Sequence, residues 1–130
     1  MEIKFKKEFI MKETDICEPN TVYGIAKLSS TLYCNHISAK ENKNIGTIRL
    51  FSVYGDYEEK GRLIPTLFIN LLNGENVKLG NPAAVRDFVY IDDVVEAYIS
   101  ILKNPEKIKG KIFNISSGNQ ISIGEISEKV

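Results

Sequence analysis

Apolar and polar positions along this chain follow two different periods, which predict alternating helices and strands. Between residues 21 and 41 the apolar side chains recur at spacings of three to five, which is typical of a helix. Residues 47–54 form a nearly continuous apolar run, which favours one strand buried on both faces of a parallel sheet. Further helices are expected over 63–72, 92–103 and from Ser122 onward, and further strands over 77–79, 86–91 and 111–115. Strands alternating with helices indicate the α/β class.

Capping and turn residues set the expected ends of several elements. Pro65 is tolerated in the first turn of a helix, and Gly74 is expected to end that helix. Asp92 or Asp93 is expected to cap the following helix. Ser122, with a glutamate three residues later, forms the pattern of a capping box.

Composition and charge narrow the functional classes. The 130 residues are 43% hydrophobic and 26% charged, and they carry no net charge, so nothing points to nucleic acid as a partner. No apolar run approaches the ~18–20 residues that span a bilayer, so no membrane partner is expected. Cys17 and Cys34 fit neither a disulfide framework nor a metal-ligand spacing. We therefore expect a cytoplasmic protein of one domain without a metal site.

Tyr23 and Lys27 are the first candidates for chemistry, because four residues of helix place them on one face. A lysine cation beside a phenol favours the phenolate, and such a pair can accept a proton from a sugar hydroxyl while a cofactor accepts hydride. Taken alone, the pair favours an ordinary tyrosine beside a solvated lysine, since the chain has six tyrosines. Three later segments change that balance: IRLFSVYG at 48–55, VRDFVYIDDV at 85–94 and FNISSG at 113–118.

This series resembles the extended short-chain dehydrogenases/reductases, specifically the NAD-dependent nucleotide-sugar epimerase/dehydratase family. The resemblance runs from about Glu13 to Val130 and covers the middle-to-late part of such an enzyme. It implies the second half of a partial Rossmann-like fold, a doubly wound parallel sheet, with part of the small substrate-binding region. The family's Gly-rich NAD-binding half and its C-terminal end have no counterpart here. We therefore expect residues 13–130 to be a fragment of that domain, preceded by an N-terminal arm or strand over 1–12.

The resemblance also implies a role for each matching position. Tyr23 would be the catalytic acid/base, and Lys27 would support it and bind the nicotinamide ribose. Tyr23, Lys27 and Phe51 would form the part of the cofactor site that this chain carries, for NAD or NADP. The implied substrate-binding residues are Ser52, Val77, Leu79 and Arg86.

Each substrate-binding position has an ordinary structural explanation that stays open. Ser52 stands where the family commonly has an asparagine that contacts the substrate diphosphate, and it can instead bond its own backbone. Arg86 offers a planar fork of donors suited to phosphate, or it can pair with Asp87 or with a helix C-terminus. Val77 and Leu79 match a short strand beside the nucleotide base, and core packing explains them equally well.

The function that the resemblance implies is part of an NAD(P)-dependent nucleotide-sugar epimerase/dehydratase, homodimeric when complete, that acts by acid–base chemistry and hydride transfer at a sugar carbon. Epimerase, dehydratase and reductase are not separated by these residues, and neither are the base and the sugar. Because the pyrophosphate loop and the family's catalytic serine or threonine have no counterpart, we expect this chain alone to be inactive. Two alternatives stay open: a non-catalytic remnant or interaction module of the same fold, and a hydroxysteroid-type dehydrogenase.

Overall fold

A computed structural model describes residues 10–129, and in this range helices and strands alternate. The elements are α1 (Val22–Lys40), β1 (Thr47–Leu50), β2 (Ser52–Tyr54), α2 (Leu63–Asn73), β3 (Val85–Tyr90), α3 (Ile91–Lys103), β4 (Ile112–Ile115), β5 (Gln120–Ser122) and α4 (Ile123–Lys129), with a short 3-10 helix (Pro105–Ile108) before β4. This order confirms the α/β prediction. Most of the expected arm or strand over 1–12 lies outside the described residues, and residues 10–12 have no regular structure.

The first of two compact units contains residues 10–50 and Val95–Ile115. Its strands β1 and β4 are parallel, with Thr47 opposite Ile112. Helix α1 packs on β1 and begins where the sequence predicts, because the Thr21 hydroxyl accepts a hydrogen bond from the Gly24 amide at 3.1 Å. At the other end of this helix the buried Ser38 hydroxyl donates to the carbonyl of Lys43 at 2.8 Å, which fixes the turn into β1.

The second unit contains Phe51–Val94 and residues 116–129. Its strand β3 lies between β2, which is parallel to it, and β5, which is antiparallel. Leu67 of α2, Val89 of β3 and Val94 of α3 are its buried apolar side chains among the described residues. Gly74 ends α2 in the left-handed conformation, with φ of +68°, as the sequence predicts.

The single strand expected over 47–54 is wrong, because the chain turns at Phe51. The Val53 amide donates to the Phe51 carbonyl at 2.9 Å, and β1 and β2 therefore pair with different strands. The strand expected over 77–79 is also wrong. Strand β3 already has β2 on one edge and β5 on the other, so neither edge is left for residues 77–79. The apolar side chains of Val77 and Leu79 instead line a cleft beside α2.

Two further boundaries differ from or confirm the prediction. Helix α3 begins at Ile91, directly after β3, so Asp92 and Asp93 lie in its first turn instead of capping it. There both carboxylates lie near the positive end of the helix dipole. The capping box is confirmed, since the Ser122 hydroxyl accepts from the Glu125 amide at 3.1 Å and the Ser122 amide donates to the Glu125 carboxylate at 2.9 Å.

Candidate functional site

Tyr23 and Lys27 lie together on α1, in the first unit. The Lys27 ammonium nitrogen is 5.4 Å from the centroid of the Tyr23 ring, within the range of a cation–π contact. The tyrosine is 72% exposed and the lysine is exposed as well. The chain before α1 packs tightly against the first turn of the helix. A Cβ atom at Gly24 would lie 3.1 Å from Pro19 and 3.2 Å from the Thr21 hydroxyl. The predicted pair is thus accessible and correctly spaced.

The loop that leads into α1 is fixed by Glu13, which sequence reasoning missed. The Glu13 carboxylate accepts a hydrogen bond from the Asn114 amide at 2.8 Å, and the Asn114 side chain donates to the Met11 carbonyl at 3.2 Å. The Asn114 amide lowers the pKa of Glu13 below its ordinary value, because the bond favours the ionised carboxylate. The two partners are 101 residues apart, so no local pattern could have revealed this bond.

Ser52 and Arg86 line the same cleft in the second unit, which we call the arginine cleft. Its volume is about 310 Å³, and its charged lining residues are Glu58, Arg62 and Arg86. The remaining lining residues are Ser52, Val53, Gly61, Leu63, Ile64, Phe88 and Ile123. Two of the four predicted substrate-binding residues therefore meet at one cleft, beside a second arginine that sequence reasoning did not single out.

Arg86 does not pair with Asp87, one of the two alternatives that the sequence left open. The Arg86 guanidinium donates to the carbonyl of Val85 at 2.8 Å and is exposed to solvent. Asp87 is only 8% exposed, and its carboxylate accepts from the Ser117 amide at 2.7 Å, from the Ser117 hydroxyl at 2.9 Å and from the Gly118 amide at 2.9 Å. Successive residues of β3 point to opposite faces, so the arginine stays available while the aspartate fixes the turn before β5.

Arg62 lies directly before α2, and the first turn of that helix borders the arginine cleft. The free amides of a helix N-terminus favour an anion. Arg62 is held by a hydrogen bond from its own amide to the Glu59 carbonyl at 2.9 Å, while its side chain is 65% exposed. The sequence signal that could have found it is its place in the charged loop after a strand, where α/β proteins bind ligands.

Val77 and Leu79 line a second cleft of about 230 Å³, which we call the α2 cleft. Its other lining residues are Leu67, Leu71, Glu75, Asn76 and Ser127. Helices α2 and α4 border both clefts, with their first turns at the arginine cleft and later turns at the α2 cleft. From residue 63 to residue 71 the helix rises ~12 Å. The two clefts therefore follow one another along the same pair of helices, as an elongated ligand requires.

Phe51, which follows β1 and precedes β2 in the chain, is half-buried. Its expected contact with a cofactor stays a prediction. Within residues 10–129 no group of three or more side chains could hold a metal ion. No helix in this part of the chain is long and apolar enough to cross a membrane.

The fold and the clefts define an α/β protein with an arginine-lined site beside a parallel strand pair, and comparison with known proteins gives its family. The sequence profile of the NAD dependent epimerase/dehydratase family matches residues 4–116. The chain is 36% identical to an ADP-L-glycero-D-manno-heptose-6-epimerase of Brachyspira hyodysenteriae over 118 residues, which is 85% of this chain and 36% of that protein. It is 35% identical to a CDP-abequose synthase of Salmonella muenchen over 81 residues, covering 62% of this chain and 28% of the synthase.

Solved structures agree with this result. A dTDP-glucose 4,6-dehydratase from Bacillus anthracis in complex with NAD matches with a TM-score of 0.88 and 25% identity, over 95% of this chain and 40% of that chain. A UDP-glucuronic acid 4-epimerase from Bacillus cereus, in complex with UDP-glucuronic acid and NAD, matches with a TM-score of 0.82 and 27% identity, over 95% of this chain and 41% of that chain. The chain belongs to the NAD-dependent epimerase/dehydratase family, and its Rossmann-like α/β fold is confirmed.

Proposed function

We propose that this chain is part of an NAD-dependent nucleotide-sugar epimerase/dehydratase and that its second unit binds the nucleoside diphosphate of the substrate. The chain spans 36% and 28% of the lengths of the two curated relatives, so the activity of a whole enzyme is inferred for it. The observation that carries the proposal is the placement of Ser52 and Arg86 in one cleft, with a second arginine beside them.

The diphosphate fits the arginine cleft on charge and geometry. Arg62 and Arg86 supply two guanidinium groups, whose planar donors match phosphate oxygens, and the first turn of α2 adds backbone amides. Ser52, at the start of β2, adds one hydroxyl donor where the family commonly has the longer asparagine. These contacts hold substrate and transition state equally, so they act mainly on affinity.

The nucleotide base fits the α2 cleft. Val77 and Leu79 give this cleft apolar walls together with Leu67 and Leu71 of α2, and Asn76 and Glu75 offer polar groups that can reach a base edge. Because this cleft follows the arginine cleft along α2 and α4, a base and a diphosphate can occupy the two at once. The proposal therefore keeps Val77 and Leu79 as substrate-binding residues, although they do not form a strand.

In this proposal Tyr23 and Lys27 carry out the acid–base chemistry. Tyr23 would take a proton from a sugar hydroxyl, and the Lys27 ammonium beside its ring would stabilise the phenolate. The two exposed side chains also suit the nicotinamide ribose, and bound NAD or NADP would supply the hydride acceptor. In the complete enzyme that contains this chain, Lys27→Met should raise the KM for the cofactor and lower kcat, whereas replacing a solvated lysine with no role would change neither.

Isothermal titration of the purified protein with UDP, dTDP, ADP, CDP and GDP sugars tests the binding proposal. Arg86→Ala should weaken binding of the preferred nucleotide sugar about tenfold or more, because a charged hydrogen bond to phosphate is lost. Lys60→Ala removes one positive charge from the same unit outside the cleft, and it should change the affinity by about twofold or less. Equal losses in the two variants, or no binding by the wild type, would contradict the proposal.

Product analysis on the complete enzyme that contains this chain tests the finer predictions. A 4-keto product, an inverted sugar or a reduced sugar would assign the dehydratase, epimerase or reductase reaction. Binding without conversion would instead support the non-catalytic interaction module. Homodimer formation and a cytoplasmic location are further predictions, which analytical ultracentrifugation and cell fractionation would test.

A further inference from the structure

Glu58 is the one acidic side chain among the residues that line the arginine cleft. Its side chain is only 15% exposed. One carboxylate oxygen, Oε1, lies 3.7 Å from Nε of Arg62, while the other, Oε2, is buried and has no hydrogen-bond partner among the described residues. An unpaired buried carboxylate oxygen is costly, so its position beside an anion site calls for a functional reason.

The loop before α2 directs Glu58 inward through backbone conformations that few residues adopt. Gly55 has φ of +133°, and a Cβ there would lie 2.7 Å from Ile91 and 2.8 Å from the Tyr90 ring. Tyr57 has φ of +67°, which is uncommon for a residue with a side chain. The Glu58 amide then donates to the Gly55 carbonyl at 3.2 Å. This loop accordingly gives Glu58 a fixed place in the cleft wall.

We propose that Glu58 is a specificity-determining residue, which makes the arginine cleft prefer a sugar-linked nucleoside diphosphate over the free nucleoside diphosphate. The inference rests on the proposed function, because it assumes that the diphosphate lies in this cleft.

The first part of the discrimination is electrostatic. A diphosphate esterified at both ends carries two negative charges, whereas a free nucleoside diphosphate gains a third at neutral pH, because the second ionisation of a terminal phosphate lies near pH ~6. Glu58 repels every one of these charges, and the free nucleotide carries one more of them. Arg62 and Arg86 still give the lining side chains a net charge of +1, from two arginines and one glutamate, so the diester binds.

The second part is hydrogen bonding. The hydroxyl groups of a sugar can donate to the part of the Glu58 carboxylate that lines the cleft, whereas a fully ionised terminal phosphate has no proton to donate. A site whose acceptor is satisfied by one ligand and faces only acceptors of another discriminates between the two ligands. Both parts favour the same ligand.

Glu58→Gln separates this role from simple packing, because glutamine has nearly the same shape, still accepts a hydrogen bond and carries no charge. The affinities to measure by calorimetry are those of the preferred nucleotide sugar and of its nucleoside diphosphate, in the wild type and in the variant. Glu58→Gln should increase the affinity for the free diphosphate about fivefold more than the affinity for the nucleotide sugar. This difference should shrink at pH ~5.5, where the terminal phosphate loses its third charge.

Glu59→Gln is the matched control, because Glu59 is the adjacent exposed glutamate and does not line the arginine cleft. It should change both affinities by less than about twofold. If Glu58→Gln does not fold, Glu58→Asp, which retracts the carboxylate by one methylene, should change the same ratio in the same direction.

Equal effects of Glu58→Gln on the two ligands, or a ratio that does not depend on pH, would overturn the inference while the Arg86→Ala result still supports the proposed function. A wild-type protein that binds neither ligand would overturn both the inference about Glu58 and the proposed function.

Discussion

Replacing Asp87 by alanine should destabilise the second unit more than any exposed acidic substitution. Asp87 is nearly buried and accepts three hydrogen bonds from Ser117 and Gly118, at 2.7, 2.9 and 2.9 Å. These bonds tie β3 to the turn that leads into β5, and β5 covers one edge of β3. Asp87→Ala therefore removes the connection that holds the turn in place.

The expected size follows from the bonds. Hydrogen bonds to a charged group contribute ~1.5–3 kcal/mol each, so three give a gross loss of ~5–9 kcal/mol. Ser117 and Gly118 are exposed, so water can form hydrogen bonds to the freed donors and offset more than half of this loss. We expect a net decrease of ~2–4 kcal/mol in the free energy of unfolding for Asp87→Ala. Asp87→Asn keeps one acceptor but turns an amide donor toward Gly118, and it should cost ~1–2 kcal/mol.

Urea denaturation followed by circular dichroism would measure these changes, and amide hydrogen exchange at Gly118 would locate them. For a chain of this size ~2–4 kcal/mol corresponds to a fall in Tm of ~7–15 °C. Asp93→Ala, an exposed substitution in the first turn of α3, is the control and should cost less than ~1 kcal/mol. An Asp87→Ala protein that is as stable as this control, with unchanged exchange at Gly118, would refute the reasoning.

Three further predictions concern stability and ionisation. Gly74→Ala should cost ~1 kcal/mol in urea denaturation, because φ is +68° there although the space around it is open. Ser122→Ala should cost ~1 kcal/mol in the same assay by removing the cap of α4, and Ser122→Asp should restore most of it. Tyr90 has a raised pKa, because its phenolate would face the carboxylates of Asp56 first and Asp92 second. Its contribution to stability is present below pH ~10 and is lost as pH rises through the folded pKa, since the folded state then binds more protons than the unfolded state. Asp56→Asn should lower this pKa in a near-ultraviolet titration, and an unchanged titration would contradict that cause.

Local sequence signals predicted the elements whose ends are set by neighbouring residues. Gly74 and Ser122 define helix ends through their own backbone conformation or side chain, and both predictions were confirmed. The break at Phe51 was not predicted, because an apolar run does not show that its two halves pair with different strands. Strand β5 was also not predicted, because its three residues form a strand only by pairing with β3.

The candidate site shows a similar division. The spacing of Tyr23 and Lys27 could be predicted because both lie on one helix. Glu58 and Arg62 could not, since a charged loop looks like solvated surface until its backbone is known. The pairing of Asp87 with Ser117 spans 30 residues and has no local signature. Local sequence patterns therefore did not reveal the contacts between residues that are distant in the chain.

The conversion of a nucleotide sugar by Tyr23→Phe tests the central claim most directly. The assay incubates the complete enzyme that contains this chain with NAD and the preferred nucleotide sugar and follows the product by mass spectrometry. If Tyr23 is the acid/base, loss of its hydroxyl should lower kcat about 100-fold or more. Tyr33→Phe, at an exposed tyrosine farther along α1, should leave kcat within about twofold. A Tyr23→Phe protein that retains wild-type turnover would contradict the account.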